Sequence, residues 1–170
     1  MVGRVVRMDA EFRNAMSLIP TSVSIVALIS NSKITACTIS SLVSVSIDPQ
    51  NPEILFVLKK ESHTGSLIER DKFFTLNVLA KNQESFALEF SKQRDLDQEF
   101  DSNKWNLNSS NFVELNGSRV IMDCQINQVY ENHLADIYVA KVLSYKFDTT
   151  VPALIYDERK YGSFHPDSQN

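Results

Sequence analysis

The stretch RVIMDCQINQVYENHLADIYVAKVLSYKF, residues 119–147, carries the longest β pattern in the chain. Two runs rich in β-branched and aromatic residues, 119–130 and 133–147, are separated by the polar pair Glu131-Asn132. Such runs joined by a short polar break predict two long antiparallel strands that form a hairpin. The fold is therefore expected to be built on antiparallel pairing.

Working outward from this hairpin, four further β patterns precede it in the chain. They cover residues 23–29, 34–47, 53–58 and 73–79, and turn-forming residues separate them. Strands and helices do not alternate as they do in a parallel α/β sheet. About six strands with hairpin-like spacing predict a mainly β protein, a closed antiparallel barrel with peripheral helices.

Three short helices are predicted beside these strands. Residues 9–19 place Phe12, Met16 and Ile19 on one helical face, and Pro20 ends the pattern. The other two helices cover residues 64–69 and 83–91. Residues 92–111 are polar and contain Trp105, and we interpret them as a long surface loop.

Composition limits the classes of function. The 170 residues predict one domain, 1–170, and a net charge of -4 without a Lys/Arg run argues against nucleic acid as the main partner. No apolar run is long enough to cross a membrane, and residues 1–9 lack the apolar core of a signal peptide. Cys37 and Cys124 are expected to be reduced structural thiols rather than metal ligands. We expect a cytoplasmic protein.

The segment TISSLVSVS, residues 38–46, is the most informative for chemistry. Thr38 and Ser40 share one face of the predicted strand, and the alternation of polar and apolar residues breaks at Ser41-Leu42. Such a break indicates a bulge or bend with exposed amides. Hydroxyls and amides together bind a phosphate or the polar edge of a heteroaromatic ring. The alternative is a half-exposed strand without a ligand.

A second candidate cluster contains Lys59, Ser62, His63 and Thr64, ahead of the helix predicted at 64–69. A helix start with hydroxyls and a nearby lysine favours an anion. The alternative is a plain helix cap by Ser62 beside a solvated Lys59. No GxGxxG or P-loop occurs among the four glycines, so neither motif would hold a nucleotide.

An ordered series of motifs resembles one known family, the small flavin reductases, which serve as reductase components of two-component flavin monooxygenases. The series contains PTSVSIV at 20–26, TISS at 38–41, SVSIDP at 44–49, SHT at 62–64, FFTLNVL at 73–79 and PALIY at 152–156 with Lys160-Tyr161. It extends over about residues 12–162. The order of the motifs carries the resemblance.

The resemblance implies an FMN-binding split β-barrel of six antiparallel strands, a homodimer with the flavin near the subunit interface. It implies FMN or FAD as cofactor, NADH or NADPH as co-substrate, and transfer of hydride between them. The residues that it implies for the flavin are Pro20, Thr21, Ser22, Thr38, Ile39, Ser40 and Ser41, with the phosphate near Ser40 or Ser41, Lys59, Ser62 and Thr64.

For the nicotinamide, the resemblance points to His133 and Tyr161. The family histidine aligns without gaps on Ala135, so His133 stands two residues early, on the same face of the predicted strand. Three functions stay open: an NAD(P)H-dependent flavin reductase, a flavin-binding module without nicotinamide turnover, and another split-barrel enzyme such as an oxidase of a pyridoxamine-type substrate.

Overall fold

The computed structural model describes residues 8–92 and 98–164 of the chain. Its elements, in chain order, are α1 (Met8–Ser17), β1 (Thr21–Ser22), β2 (Ser24–Ser30), β3 (Lys33–Ile39), β4 (Val43–Ser46), β5 (Glu53–Lys59), α2 (His63–Asp71), β6 (Phe73–Val78), a 3₁₀ turn (Lys81–Gln83), α3 (Glu84–Ser91), β7 (Gln98–Glu99), β8 (Trp105–Leu107), β9 (Val113–Leu115), β10 (Val120–Tyr130), β11 (Ala135–Phe147), β12 (Ile155–Asp157) and β13 (Lys160–Gly162). The predicted mainly β class with a few helices is confirmed.

The long hairpin lies in the middle of the main sheet, as the sequence predicts. Strands β10 and β11 pair antiparallel from Val120↔Phe147 to Tyr130↔Ile137, with register shifts at Asp123/Cys124 and at Ile126/Gln128. The main sheet has the order β4-β5-β11-β10-β6-β2-β3-β7. All the pairs described within it are antiparallel.

The sheet does not close into a barrel by main-chain pairing in the described residues. Six of its strands run from β5 to β3, and no ladder joins those two strands. Ser41 spans the gap instead: its Oγ accepts a hydrogen bond from Val57 N at 2.9 Å and donates one to Val57 O at 3.3 Å. The predicted stretch 34–47 is split at this point into β3 and β4, so the predicted break at Ser41-Leu42 is confirmed.

Two buried clusters of apolar side chains make up the core. The first includes Phe56, Phe74, Leu76 and Tyr138, and the second includes Ile25 and Trp105. The second cluster lies where α3 and the pair β8-β9 meet β2 and β3. Burial of apolar surface on this scale is the main stabilising contribution to the fold.

The prediction of a surface loop over residues 92–111 is wrong for residues 98–111, which the structure describes. Trp105 is 1% exposed, and its ring meets Phe90 edge-on with a centroid distance of 5.7 Å. Strand β8 pairs with β9, and β7 pairs with β3. Polar residues outnumber apolar ones in this segment, so its composition favours a surface loop. Composition does not show that one large side chain, Trp105, is buried and anchors the segment.

Helix α1 presents its apolar residues to solvent. Phe12 is 60% exposed, and Met16 and Ile19 are about half exposed. The helix is attached at its C-terminal end, where Glu158 N donates to Ser17 O at 2.8 Å and Arg159 donates to Asn14 Oδ1 at 2.6 Å. The predicted helix is thus confirmed, and its apolar face lacks a cover within the described residues.

We predict that Trp105→Ala lowers the free energy of unfolding by about 3–5 kcal/mol, because a fully buried indole is replaced by a cavity. Ser109→Ala, in an exposed turn of the same segment, should change it by about 0.5 kcal/mol or less. Denaturant unfolding of both variants measures the difference. Equal small effects would mean that Trp105 does not anchor the segment.

Candidate functional site

A cleft of about 550 Å³ opens where β3 and β5 separate. Its walls come from β3 and the bend after it, the end of β5, the start of α2 and the C-terminal end of α3. The lining residues are Thr35, Ala36, Cys37, Thr38, Ile39, Ser40, Ser41, Val57, Leu58, Lys59, Glu61, Ser62, His63, Thr64, Phe90, Ser91, Lys92 and Ala135. Its volume lies within the range of small-molecule sites.

Both predicted clusters contribute to this one cleft. The hydroxyl-rich segment supplies Thr38, Ile39, Ser40 and Ser41, and the second cluster supplies Lys59, Ser62 and Thr64. They are about 20 residues apart in the chain. The antiparallel sheet and the open edge between β3 and β5 bring them together.

Two of the hydroxyls in the first cluster are committed to the protein itself. Ser41 donates its proton to Val57 O, and Thr38 Oγ1 donates to Ala87 O at 2.8 Å. A hydroxyl has one proton, so neither side chain can donate to a phosphate in this conformation. Ser40 is exposed and has no hydrogen-bond partner among the described residues. Of these three hydroxyls, only that of Ser40 is free to donate to a ligand.

The second cluster combines a helix cap with a free cation. Ser62 is the N-cap of α2, and its Oγ accepts a hydrogen bond from Gly65 N at 3.2 Å. Because the oxygen accepts in this contact, its O–H can still act as a donor. Lys59 is exposed and forms no ion pair within the described residues, whereas Lys60 pairs with Glu131 at 3.1 Å. Ser62 therefore caps α2 and also lines the cleft, and its predicted contact with an anion stays a prediction.

Cys37 is a cleft residue that the sequence reasoning missed. Burial raises the pKa of its thiol to about 11, and the Thr64 and Ser62 side chains lower it by a smaller amount. The thiol is therefore neutral near pH 7 and acts as a small apolar wall rather than as a nucleophile. Strand alternation assigns Cys37 to the face opposite Thr38, so the pattern gave no reason to expect both in one cleft.

The end of α3 was also missed. Phe90 is buried, and Ser91 and Lys92 are exposed at the margin of the cleft. Sequence position gives no signal for them, because α3 reaches the cleft only through its packing on β3. Lys92 adds a second positive charge to the cleft lining beside Lys59.

The chain is similar to known proteins. Residues 16–165 match the family described as "Flavin reductase like domain". The chain belongs to this flavin reductase family. The FMN reductase (NADH) RutF of Serratia proteamaculans (strain 568) is 26% identical over 153 residues, which cover 90% of this chain and 86% of that protein.

One further relative and one solved structure are similar to this chain, the structure in fold. The reductase subunit HsaB of a flavin-dependent monooxygenase from Rhodococcus jostii (strain RHA1) is 27% identical over 156 residues, which cover 92% of this chain and 78% of HsaB. Among solved structures, the NADH:FAD oxidoreductase SgcE6 of Streptomyces globisporus C-1027, in complex with NAD and FAD fragments, aligns with a TM-score of 0.85 at 22% identity. That alignment covers 98% of this chain and all of SgcE6.

In this flavin reductase family member, His133 does not line the cleft. It lies in the exposed turn between β10 and β11, and Ala135, two residues later, is the lining residue. The turn is attached beside the cleft, because Lys60 N donates to Leu134 O at 3.1 Å and Ala135 pairs with Lys59. The two-residue offset therefore places the histidine next to the cleft wall and outside it.

Pro20, Thr21, Ser22 and Tyr161 also lie outside the cleft lining. Strands β1, β12 and β13 form a separate small sheet, in which Thr21 pairs with Tyr156 and the Tyr156 and Tyr161 rings are 5.0 Å apart. Ser24 pairs with Ile39, so the chain at 20–22 extends from the same end of the sheet as Ser40. The predicted contacts of these four residues with the flavin stay predictions.

Two other kinds of site find no support in the part of the chain that is described. No group of three or more His, Cys, Asp or Glu side chains there could hold a metal ion. No helix within residues 8–92 and 98–164 is long and apolar enough to cross a membrane.

Proposed function

We propose that this chain is an NADH-dependent FMN reductase that uses the cleft between β3 and α2 as its flavin site. The observation that carries the proposal is the set of donors on the cleft: the Ser40 hydroxyl and Lys59, neither of which has a side-chain partner among the described residues, and the first turn of α2. The first N–H groups of a helix lack partners within the helix and favour an anion. Membership of the flavin reductase family supports the activity.

The donor set fits the phosphate end of FMN. Lys59 would supply the positive charge, while Ser40 and Ser62 would supply O–H donors. Ile39 and Ala36 would offer apolar surface to the ring, and the Ser40-Ser41 amides would face its polar edge. When bound, FMN supplies the hydride acceptor, which needs no side-chain acid or base. The protein contributes binding and orientation.

Six strands, β5-β11-β10-β6-β2-β3, would form the split barrel that the family resemblance implies. The two hydrogen bonds of Ser41 to Val57 support this proposal, because they span the gap between the first and last of these strands. The gap is the split, and the cleft occupies it. The partner would be a monooxygenase that consumes reduced flavin, because the relative HsaB is the reductase subunit of a flavin-dependent monooxygenase.

A second copy of this chain would cover the exposed apolar surface. Val43, Val45 and Ile47, in and after the edge strand β4, are 51–88% exposed, and Tyr145 and Phe147 on β11 are about two-thirds exposed. Exposed apolar edge strands are rare in monomers, because they pair with other chains.

We expect a homodimer in solution with FMN bound, with twice the chain mass in sedimentation equilibrium. Val45→Lys should shift the population towards the monomer, whereas Glu99→Lys, on the opposite edge strand β7, should not. A wild-type monomer with intact FMN binding would contradict the homodimer and leave the cleft assignment standing.

We predict that Lys59→Gln weakens FMN binding by about tenfold or more, since a hydrogen bond to a charged group contributes about 1.5–3 kcal/mol. Riboflavin, which lacks the phosphate, should bind the variant and the wild type alike. Lys60→Gln is the matched control, because Lys60 pairs with Glu131 and does not line the cleft. Flavin fluorescence titration of the wild type, Lys59→Gln and Lys60→Gln measures the affinity of each protein for FMN and for riboflavin. Equal losses for FMN and riboflavin would place the phosphate elsewhere.

We predict that the purified protein oxidises NADH only when FMN is added. His133→Ala should raise KM for NADH by up to about tenfold with little change in kcat, because it removes one positioning hydrogen bond. Leu134→Ala in the same exposed turn is the control. Absence of NADH oxidation, despite FMN binding, would leave a flavin-binding protein without nicotinamide turnover. A wild-type KM in His133→Ala would remove His133 from the nicotinamide site.

A further inference from the structure

Tyr138 connects the middle of the sheet to α2 and has no part in the cleft lining. It lies in β11, is 1% exposed, and stacks on Phe56 with a centroid distance of 5.2 Å and an interplanar angle of 12°. Its hydroxyl donates to Glu69 Oε1 at 2.6 Å. Burial and the neighbouring Glu69 raise the pKa of Tyr138, so the phenol keeps the proton that it donates.

The same hydroxyl occupies the place of a side chain at Gly65. A Cβ added to Gly65 would lie 2.9 Å from Tyr138 Oη and 3.5 Å from Leu58 Cδ1. Glycine costs about 1 kcal/mol relative to alanine in a helix interior, so helix propensity does not explain its presence in the first turn of α2. Close approach of the phenol does.

These two contacts lie on one helix, four residues apart. Gly65 rests on the phenol oxygen in the first turn, and Glu69 accepts its proton one turn later. Residues four apart lie on one face of a helix, so a single buried side chain sets both the depth and the rotation of α2. Gly65 N is also the group that the Ser62 cap holds.

The first turn that Tyr138 fixes is the turn that faces the cleft. Thr64 is buried and lines the cleft, and Ser62 lines it at the N-cap. We propose that Tyr138 is a positioning residue, which sets where the first turn of α2 meets the phosphate of the flavin. This inference rests on the proposed function, and it adds a residue that touches neither flavin nor nicotinamide.

The test compares FMN with riboflavin in four proteins: wild type, Tyr138→Phe, Gly65→Ala and the double variant. Tyr138→Phe should weaken FMN binding by about threefold, and Gly65→Ala by about tenfold or more, since the added Cβ pushes the turn away. The double variant should bind FMN more tightly than Gly65→Ala, because removal of the hydroxyl makes room. Riboflavin affinity should stay within about twofold throughout, since only the phosphate meets the turn.

Tyr130→Phe is the matched control. It removes a tyrosine hydroxyl from β10, where Tyr130 is half exposed, donates to Gln128 at 2.7 Å and does not line the cleft. Thermal melts of each variant confirm folding, and Tyr138→Phe alone carries the test if Gly65→Ala does not fold. Unchanged FMN affinity in a folded Tyr138→Phe, or equal loss of FMN and riboflavin, would overturn the positioning role. Failure of the wild type to bind FMN would overturn the proposed function and this inference with it.

Discussion

The two hydrogen bonds between Ser41 and Val57 set the distance between β3 and β5. In a continuous ladder, the main chains of these strands would pair directly, and no space would be left between them. Here one hydroxyl takes both roles, accepting from Val57 N and donating to Val57 O. Val57 pairs with Ile137 of β11 on one side, and on the other side Ser41 satisfies its main-chain groups where no strand ladder continues, as a half-buried position requires.

The cleft follows from that arrangement. Because the chain bends at Ser40–Leu42 and continues into β4, the side of β3 next to the gap is open to α2 and α3. The same bend leaves the Ser40 hydroxyl without a partner in residues 8–92 and 98–164, while that of Ser41 is bonded to Val57. Lys59 ends β5 opposite this bend, and the Ser62 cap starts α2 directly after it. The side chains of Ser40 and Lys59 are therefore available to a ligand because they form no hydrogen bonds with the sheet in the described residues.

The sequence predicts the central hairpin, the bend and both polar clusters, because each depends on local pattern. Alternation and β-branched runs locate β10 and β11, and the phase change at Ser41-Leu42 locates the bend. The prediction placed the phosphate near Ser40 or Ser41 and did not distinguish them, because the local pattern does not show that Ser41 donates its proton to Val57 O. Trp105, Cys37 and Phe90 depend on packing between distant segments. His133 and Tyr161 depend on a resemblance, which fixes their order in the chain and not their distance from the cleft.

A crystal structure of the protein with FMN tests the central claim, that the cleft between β3 and α2 is the flavin site. The account predicts a phosphate within hydrogen-bond distance of Lys59 Nζ, Ser40 Oγ and the first turn of α2, with Ser41 still bonded to Val57. A flavin bound outside this cleft, or a phosphate held by the Ser41 hydroxyl after it has left Val57, would contradict it.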